Sequence, residues 1–266
     1  MRRIPLLLLF PLTAFAQAAS GPAPAPAEPE RFTWSGKIAP GGTVVVRNDH
    51  GDIRARYGGR EGKVEVMAVI QHLSARQPPL AVRAREGAGG VTVSVDYGDA
   101  DAPANEPVPD RADLVVFVPE GATLEARTEA GLIEVKGLQG PVSARSVRGD
   151  LSFSVAGPVT AFTEQGRIRA SLDPAVTAPQ RLETRTGDIF VTLRDNANLA
   201  LEASTSGEIA TDFTLRMERM PHAEPDKKAF VKIGRGRAKL TVLSKRGRIR
   251  LTWLPASEGE MEIDSD

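Results

Sequence analysis

From Gly51 onward the polar and apolar positions fall into a short alternating rhythm that breaks at a glycine and then restarts. Val142-Ser-Ala-Arg-Ser-Val-Arg-Gly-Asp-Leu-Ser-Phe-Ser-Val155 shows one unit. Val142 and Ala144 alternate with polar neighbours, Gly149 interrupts, and Leu151, Phe153 and Val155 alternate again. A period of two predicts strands with one buried face. The glycine is expected to supply a positive-φ turn, and Gly157-Pro158 closes the unit with a second turn.

The unit recurs at Gly51, Gly131, Gly149, Gly166, Gly187, Gly207 and Gly247. Three positions before these glycines stand Asn48, Thr128, Ser146, Thr163, Thr184, Ser204 and Ser244. Two positions after them stand Ile53, Ile133, Leu151, Ile168, Ile189, Ile209 and Ile249. The polar residue ahead of each glycine is expected to bond to nearby turn backbone. An internal repeat decides the architecture. Each unit can be a hairpin of an antiparallel meander, or one coil of a solenoid with like strands stacked in parallel. Same-type residues at fixed offsets favour the second, with Ile over Ile, Ser/Thr over Ser/Thr and Gly over Gly. The expected fold is therefore all-β: a β-solenoid, single-stranded and parallel β-helix-like, with a less regular N-terminal β cap. Leu199, Leu201 and Ala203 alternate one position out of step, which predicts a local bulge.

The chain divides further. Residues 1–19 read as a signal peptide: Arg2 and Arg3, an apolar stretch over 4–15, and a small-x-small site at Ala14-Phe15-Ala16 or Ala16-Gln17-Ala18. As a membrane anchor the stretch is short, and Pro5 and Pro11 break it. Residues 20–31 form a Pro/Ala-rich linker. Residues 32–122 form an N-terminal β region and cap, with strands near 43–46, 64–70, 80–85, 91–95 and 114–118 and a surface loop over 98–112. Residues 123–254 hold the repeats, with an insertion over 216–237 read as a projecting loop. Residues 255–266 are an acidic, disordered tail.

Composition agrees: 5% aromatic residues, 25 Gly and 20 Pro suit short strands joined by turns. The net charge of +0 leaves no global field that favours nucleic acid or an anionic membrane. A count of 0 Cys excludes disulfides, thiolate catalysis, Cys-ligated zinc and a lipidated N-terminal Cys.

The chemistry sought is sparse. His50, His72 and His222 have no partner at metal-ligand spacing. No Gly-x-Ser-x-Gly elbow occurs. Gly234-Arg-Gly236 reads as a tight turn. The residues after the repeat glycines are Asp52, Leu132, Asp150, Arg167, Asp188, Glu208 and Arg248, which stacking would align at about 4.8 Å per coil. Asp52, Asp150, Asp188 and Glu208 are either a carboxylate edge for a divalent cation or a sugar polymer, or a solvated edge of weakly paired mixed charges. Arg167 between Asp150 and Asp188 favours the second. Lys227, Lys228, Lys232, Arg235, Arg237, Lys239, Lys245, Arg246, Arg248 and Arg250 form the one basic cluster. They either meet phosphate-bearing lipid or anionic glycan, or protect the end of the stack from edge pairing. Trp253 and Phe230 read as core or cap residues.

At these repeats the chain resembles the bacterial putative-adhesin family with its Asn-Gly-Asp-Ile-type β-strand signature. The signature stands here as His50-Gly51-Asp52-Ile53, Arg148-Gly149-Asp150-Leu151, Thr186-Gly187-Asp188-Ile189 and Ser206-Gly207-Glu208-Ile209, with looser copies at Gly131, Gly166 and Gly247. Val116-Phe117-Val118-Pro119-Glu120-Gly121 is similar to the family's lead into the repeats. The resemblance implies a β-helical extracytoplasmic protein with no enzymatic activity, no cofactor and no defined catalytic or metal residues. The functional expectation is an exported, non-enzymatic binding or scaffolding module of the cell envelope. Its partner would be an envelope protein or glycan and not nucleic acid, and no transmembrane segment would remain after signal cleavage. The periplasm is the expected location, with the cell surface or secretion as alternatives. Two other readings stay open: a carbohydrate-active β-helix enzyme on an envelope polysaccharide, and a protein partner in an envelope stress-sensing system.

Overall fold

The computed structural model describes residues 29–59, 62–72, 80–98, 110–194 and 197–254. The expected signal peptide, most of the linker, most of the 98–112 loop and the acidic tail lie outside them. The described residues form strands and turns with no α-helix. The N-terminal strands are β1 (Glu30–Lys37), β2 (Thr43–His50), β3 (Ile53–Tyr57), β4 (Lys63–Gln71), β5 (Ala81–Gly87), β6 (Gly90–Asp96) and β7 (Arg111–Val118). Then follow β8 (Thr123–Ala130), β9 (Ile133–Lys136), β10 (Val142–Arg148), β11 (Leu151–Val155), β12 (Val159–Gln165), β13 (Ile168–Leu172), β14 (Gln180–Thr186) and β15 (Ile189–Arg194). The last are β16 (Leu199–Thr205), β17 (Ile209–Thr211), β18 (Arg216–Arg219), β19 (Lys227–Lys232), β20 (Ala238–Ser244) and β21 (Ile249–Leu254).

These strands make two large, mostly parallel sheets. One runs β1-β4-β7-β3-β9-β11-β13-β15-β21-β17, the other β18-β19-β16-β20-β14-β12-β10-β8-β2-β6-β5. Each repeat gives one strand to each sheet, and the chain changes sheet at its glycine. The alternation read from the sequence is the burial pattern: Leu151, Phe153 and Val155 of β11 are buried, Ser152 and Ser154 are not. Register places Ile133 beside Ile53 and Leu151, Ile168 beside Leu151 and Ile189, and Ile249 beside Ile189 and Ile209. Side chains of both sheets join one contiguous apolar core. Each fully buried Ile or Leu there contributes about 1.5–3 kcal/mol.

The repeats do not stack in chain order throughout. β3 of the Gly51 repeat lies directly against β9 of the Gly131 repeat, although the rest of the N-terminal region separates them in sequence. At the other end β20 and β21 of the Gly247 repeat insert between the Gly187 and Gly207 repeats. The insertion makes this possible, and it is not the expected projecting loop. β18 and β19 pair antiparallel, and β19 pairs antiparallel with β16. The chain then crosses the start of β16 and enters β20 on its far side.

The expected positive φ holds at three of the seven repeat glycines and not at the other four. Gly51, Gly131 and Gly187 have φ of 126°, 152° and 147°, but Gly149, Gly166, Gly207 and Gly247 are outside the positive-φ range. What all share is proximity. A Cβ at Gly149 would lie 1.8 Å from the Gly131 carbonyl oxygen, and one at Gly166 or Gly187 would lie 2.0 Å from that of the preceding glycine. The polar residues ahead of the glycines are buried in register. Three of them bond across to the neighbouring repeat: Thr163 Oγ1 donates to the Gly149 carbonyl at 3.1 Å, Thr184 Oγ1 to Gly166 at 3.0 Å and Ser244 Oγ to Gly187 at 2.8 Å. In the Gly207 repeat Thr205, not Ser204, holds this place and donates to the Gly247 carbonyl at 2.6 Å. That turn is one residue shorter, which explains the out-of-step alternation without a bulge. At the N-terminal end the neighbour is Ala112 instead of a glycine, and the longer Asn48 reaches its carbonyl through Nδ2 at 2.8 Å.

Gly149→Ala should push two repeats apart, at the upper end of the roughly 1–3 kcal/mol cost of overpacking. The thermal midpoint should then fall by about 2–4 °C per kcal/mol. Gly89, with nothing within 4 Å of its Cβ position, is the control, and Gly89→Ala should leave the midpoint in place. Thr184→Val, which keeps shape and removes the hydroxyl, should cost about 1–3 kcal/mol in a denaturant titration.

Candidate functional site

The edge on which the repeat glycines lie carries the carboxylates singled out in the sequence, and the neighbouring backbone occupies three of them. Asp52 Oδ1 accepts the Leu132 N–H at 3.1 Å, Asp150 Oδ1 the Arg167 N–H at 2.8 Å and Asp188 Oδ1 the Arg248 N–H at 2.7 Å. Asp113 Oδ1 does the same for the Asp52 N–H at 2.8 Å. Aspartate just after the glycine thus caps a donor that the turn would leave unpaired. The second oxygens of two of them face cations: Asp150 meets Arg167 Nε at 3.2 Å, and Asp52 meets Arg54 at 2.9 Å. Glu208 lies on the outermost repeat and pairs with Arg248 at 2.9 Å. The geometry is that of a mixed-charge edge with its carboxylates employed in holding repeats together. Among the described residues no group of three or more His, Asp or Glu is placed to hold a metal ion.

The histidines are spread out. His50 packs edge-on against Tyr97, whose hydroxyl accepts the His50 N–H at 3.0 Å. Burial pushes the Tyr97 hydroxyl well above the usual tyrosine range. His72 Nε2 lies 3.2 Å from Glu30 and Nδ1 lies 3.8 Å from buried Asp110, tying the start of β1 to the approach to β7. His222 is in the turn after β18, with φ of 69°.

A shallow cleft of about 230 Å³ opens at the opposite edge, lined by Gly137, Ser154, Ala156, Ser171, Asp173 and Arg194 among others. Its volume is below the roughly 300 Å³ at which small-molecule sites begin. Asp173 is the one carboxylate in its lining, and its Oδ1 accepts the Ala175 N–H at 2.7 Å. It offers no paired acid and base.

The basic cluster divides into two groups. Lys227 Nζ donates to the carbonyls of Ser206 and Gly207 at 3.1 and 2.7 Å. Lys228 pairs with Glu202 at 2.7 Å and Arg246 with Glu224 at 2.6 Å. Lys232, Arg235, Arg237 and Lys239 around the β19–β20 turn, by contrast, are exposed and have no ion pair among the described residues, as have Lys245 and Arg250 beside Gly247. Neither Phe230 nor Trp253 is in the buried core. Phe230 is on the outer face, with Arg216 at 4.8 Å and Lys228 at 5.5 Å from its ring centre. Trp253 is 50% exposed and stacks on Phe213 at 5.8 Å.

Nothing in the sequence separated paired from unpaired cations, because pairing depends on which strands become neighbours. The capping task of the aspartates was closer to legible: their place immediately after the glycine is the signal.

Asp150→Asn keeps an acceptor for the Arg167 N–H and should barely move the thermal midpoint. Asp150→Ala should cost about 0.5–1.5 kcal/mol, one net hydrogen bond. Calcium should shift the midpoint of neither protein; a calcium-dependent rise lost in Asp150→Asn would make this edge a metal site. On the outer face Lys136 and Arg56 hold the Glu134 carboxyl below its usual range. A depressed carboxyl adds stability above its unfolded value that is lost as pH falls through the folded one. Glu134→Gln should therefore flatten the acid limb of a stability–pH curve.

No protein-family model and no curated protein matches the chain. Solved structures similar to it include a putative cell adhesion protein from Clostridium sporogenes, 9% identical with a TM-score of 0.44, covering 85% of this chain and 100% of that one. A putative adhesin from Bacteroides fragilis is 10% identical with a TM-score of 0.31, covering 85% and 97%. A putative adhesin from Parabacteroides distasonis is 8% identical with a TM-score of 0.24, again covering 85% and 97%. At these values the likeness carries no functional weight.

Proposed function

We propose that the chain is an exported, non-catalytic binding or scaffolding module of the bacterial cell envelope, built as a β-solenoid behind an N-terminal β cap. The observation that carries this reading is the state of the edge carboxylates. Asp52, Asp150 and Asp188 each hold a backbone N–H of the next repeat, so the residues best placed for acid–base work are committed to structure. Glycosidic cleavage by the usual route needs two carboxyl groups flanking the bond, one of them free to give up its proton. The parallel, in-register pairing of Ile and Thr columns supports the solenoid. The putative-adhesin signature and the Arg2-Arg3 start followed by an apolar stretch support the envelope.

A tagged copy at native level should appear in the osmotic-shock fraction and resist protease added to intact cells. Cleavage on intact cells would place it at the surface. Retention in the cytoplasm would overturn the envelope reading. Purified protein should leave envelope polysaccharides intact; cleavage that Asp150→Asn and Asp188→Asn abolish would make it an enzyme.

A further inference from the structure

The crossing from β19 to β20 gathers cations at one corner of the stack. From Lys227 to Arg250 the chain carries ten Lys and Arg and no Asp or Glu. Lys232 on β19 and Lys239 on β20 both flank Ala200 of β16, one on each side. Their backbones are thus two strand spacings apart, about 9–10 Å, with only a methyl between. The turn joining them is held rigidly: Asn198 Oδ1 accepts the N–H of Arg235 at 3.0 Å and of Arg237 at 3.1 Å. Gly234 and Gly236 have φ of 59° and 71°, and a Cβ at Gly236 would be 3.5 Å from the Ala200 methyl, so the turn lies close over β16. The end of β15 comes close to this turn through its backbone, since the Arg194 carbonyl accepts the Ala197 N–H at 3.3 Å next to Asn198.

A second observation comes from the other sheet. Leu254 of β21 is the register partner of Arg194 on β15. Leu254 and its neighbour Trp253 are 49% and 50% exposed, among the most exposed large apolar side chains described. Because the chain changes sheet at Gly247, the start of β20 and the end of β21 lie at the same edge, so the unpaired cations share that edge with an exposed Trp and Leu. That pattern suits a lipid–water interface: the cations meet headgroup phosphates, and indole sits at headgroup depth. A soluble polyanion would use the cations alone and gain nothing from the exposed part of Trp253 or from Leu254. Because the chain's net charge is +0, attraction to an anionic surface must come from this local cluster.

We propose that this corner is a peripheral docking site for a membrane surface bearing anionic, phosphate-containing headgroups. The proposal deepens the binding-module reading by naming what one of its surfaces meets. A failed vesicle assay leaves that reading standing, whereas cytoplasmic retention removes it whatever vesicles do.

The test is co-sedimentation of the full exported chain with phosphatidylcholine vesicles and with vesicles containing phosphatidylglycerol. Binding should need the anionic lipid and fade as salt shortens the screening length from about 10 Å at 0.1 M to about 3 Å at 1 M. Arg235→Gln with Arg237→Gln should weaken it by about fivefold per cation, roughly 25-fold together. Arg47→Gln with Arg127→Gln removes equal charge from adjacent strands on the outer face elsewhere and should change nothing. Lipids brominated on their acyl chains should quench fluorescence, and Trp253→Phe should abolish that quenching. The proposal fails if anionic vesicles are not bound, if both double variants lose binding equally, or if inorganic polyphosphate is bound as tightly as vesicles with no effect of Trp253→Phe.

Discussion

A glycine in each repeat lies so close to the glycine carbonyl of the adjacent repeat that no Cβ fits between them, with a clearance of 1.8–2.3 Å from Gly131 through Gly247. The rest of the stack follows from this contact. With the backbones touching at the turn, the strands on either side are held in register, and identical side chains fall beside one another in both sheets. The same closeness lets a hydroxyl as short as that of Ser or Thr reach a carbonyl in the preceding repeat, as Thr163, Thr184 and Ser244 do, although Thr128 and Ser146 of the same column do not. It also brings the N–H groups of Leu132, Arg167 and Arg248 within reach of an aspartate one repeat away. Glycine, hydroxyl and carboxylate form one device, in which the glycine allows the approach and the other two use it to satisfy buried or turn-bound polar groups.

That device also explains the order of the last repeats. A stack ending on β20 and β21 would expose two apolar strands of 7 and 6 residues as open edges, the kind of strand that pairs with other chains. Inserting them between the Gly187 and Gly207 repeats leaves other strands outermost. These are β17, only 3 residues long, and β18, Arg-Met-Glu-Arg, exposed along its whole length. Short and charged strands are poor templates for pairing. The basic residues expected to guard the final repeat are therefore mostly not at an edge. Their segment is interior to the sheet, and the cost of the rearrangement is a chain that must cross over β16.

Much of the architecture was legible because alternation and repetition are properties of the sequence itself. The buried faces of β10, β11, β13 and β15 are those that alternation assigns, and the glycine columns are those that the repeat assigns. What was not legible depends on neighbours. Sequence offsets could not distinguish Ser204 from Thr205, since the choice depends on which residue faces Ser244 once β16 and β20 pair. They could not show that Gly149 and Gly166 are needed for closeness more than for φ, because both reasons select glycine. The hairpin in the insertion was hidden by its polarity: β18 is exposed throughout and carries no alternating signal.

The distribution of charge follows the same division between contact and exposure. Where repeats meet at the glycine edge the charges are mixed: aspartates serve backbone N–H groups, which only an acceptor can do, and arginines pair with Asp52 and Asp150. Where the chain crosses over β16 at the opposite edge, the turn's own N–H groups are served by the amide oxygen of Asn198. No carboxylate is required there, so the cations that the crossing carries have no structural partner to meet. The neutral total thus conceals a local difference: the aspartates of the glycine edge are employed by the fold, while Lys232, Arg235, Arg237 and Lys239 at the crossing are left available to whatever the corner contacts.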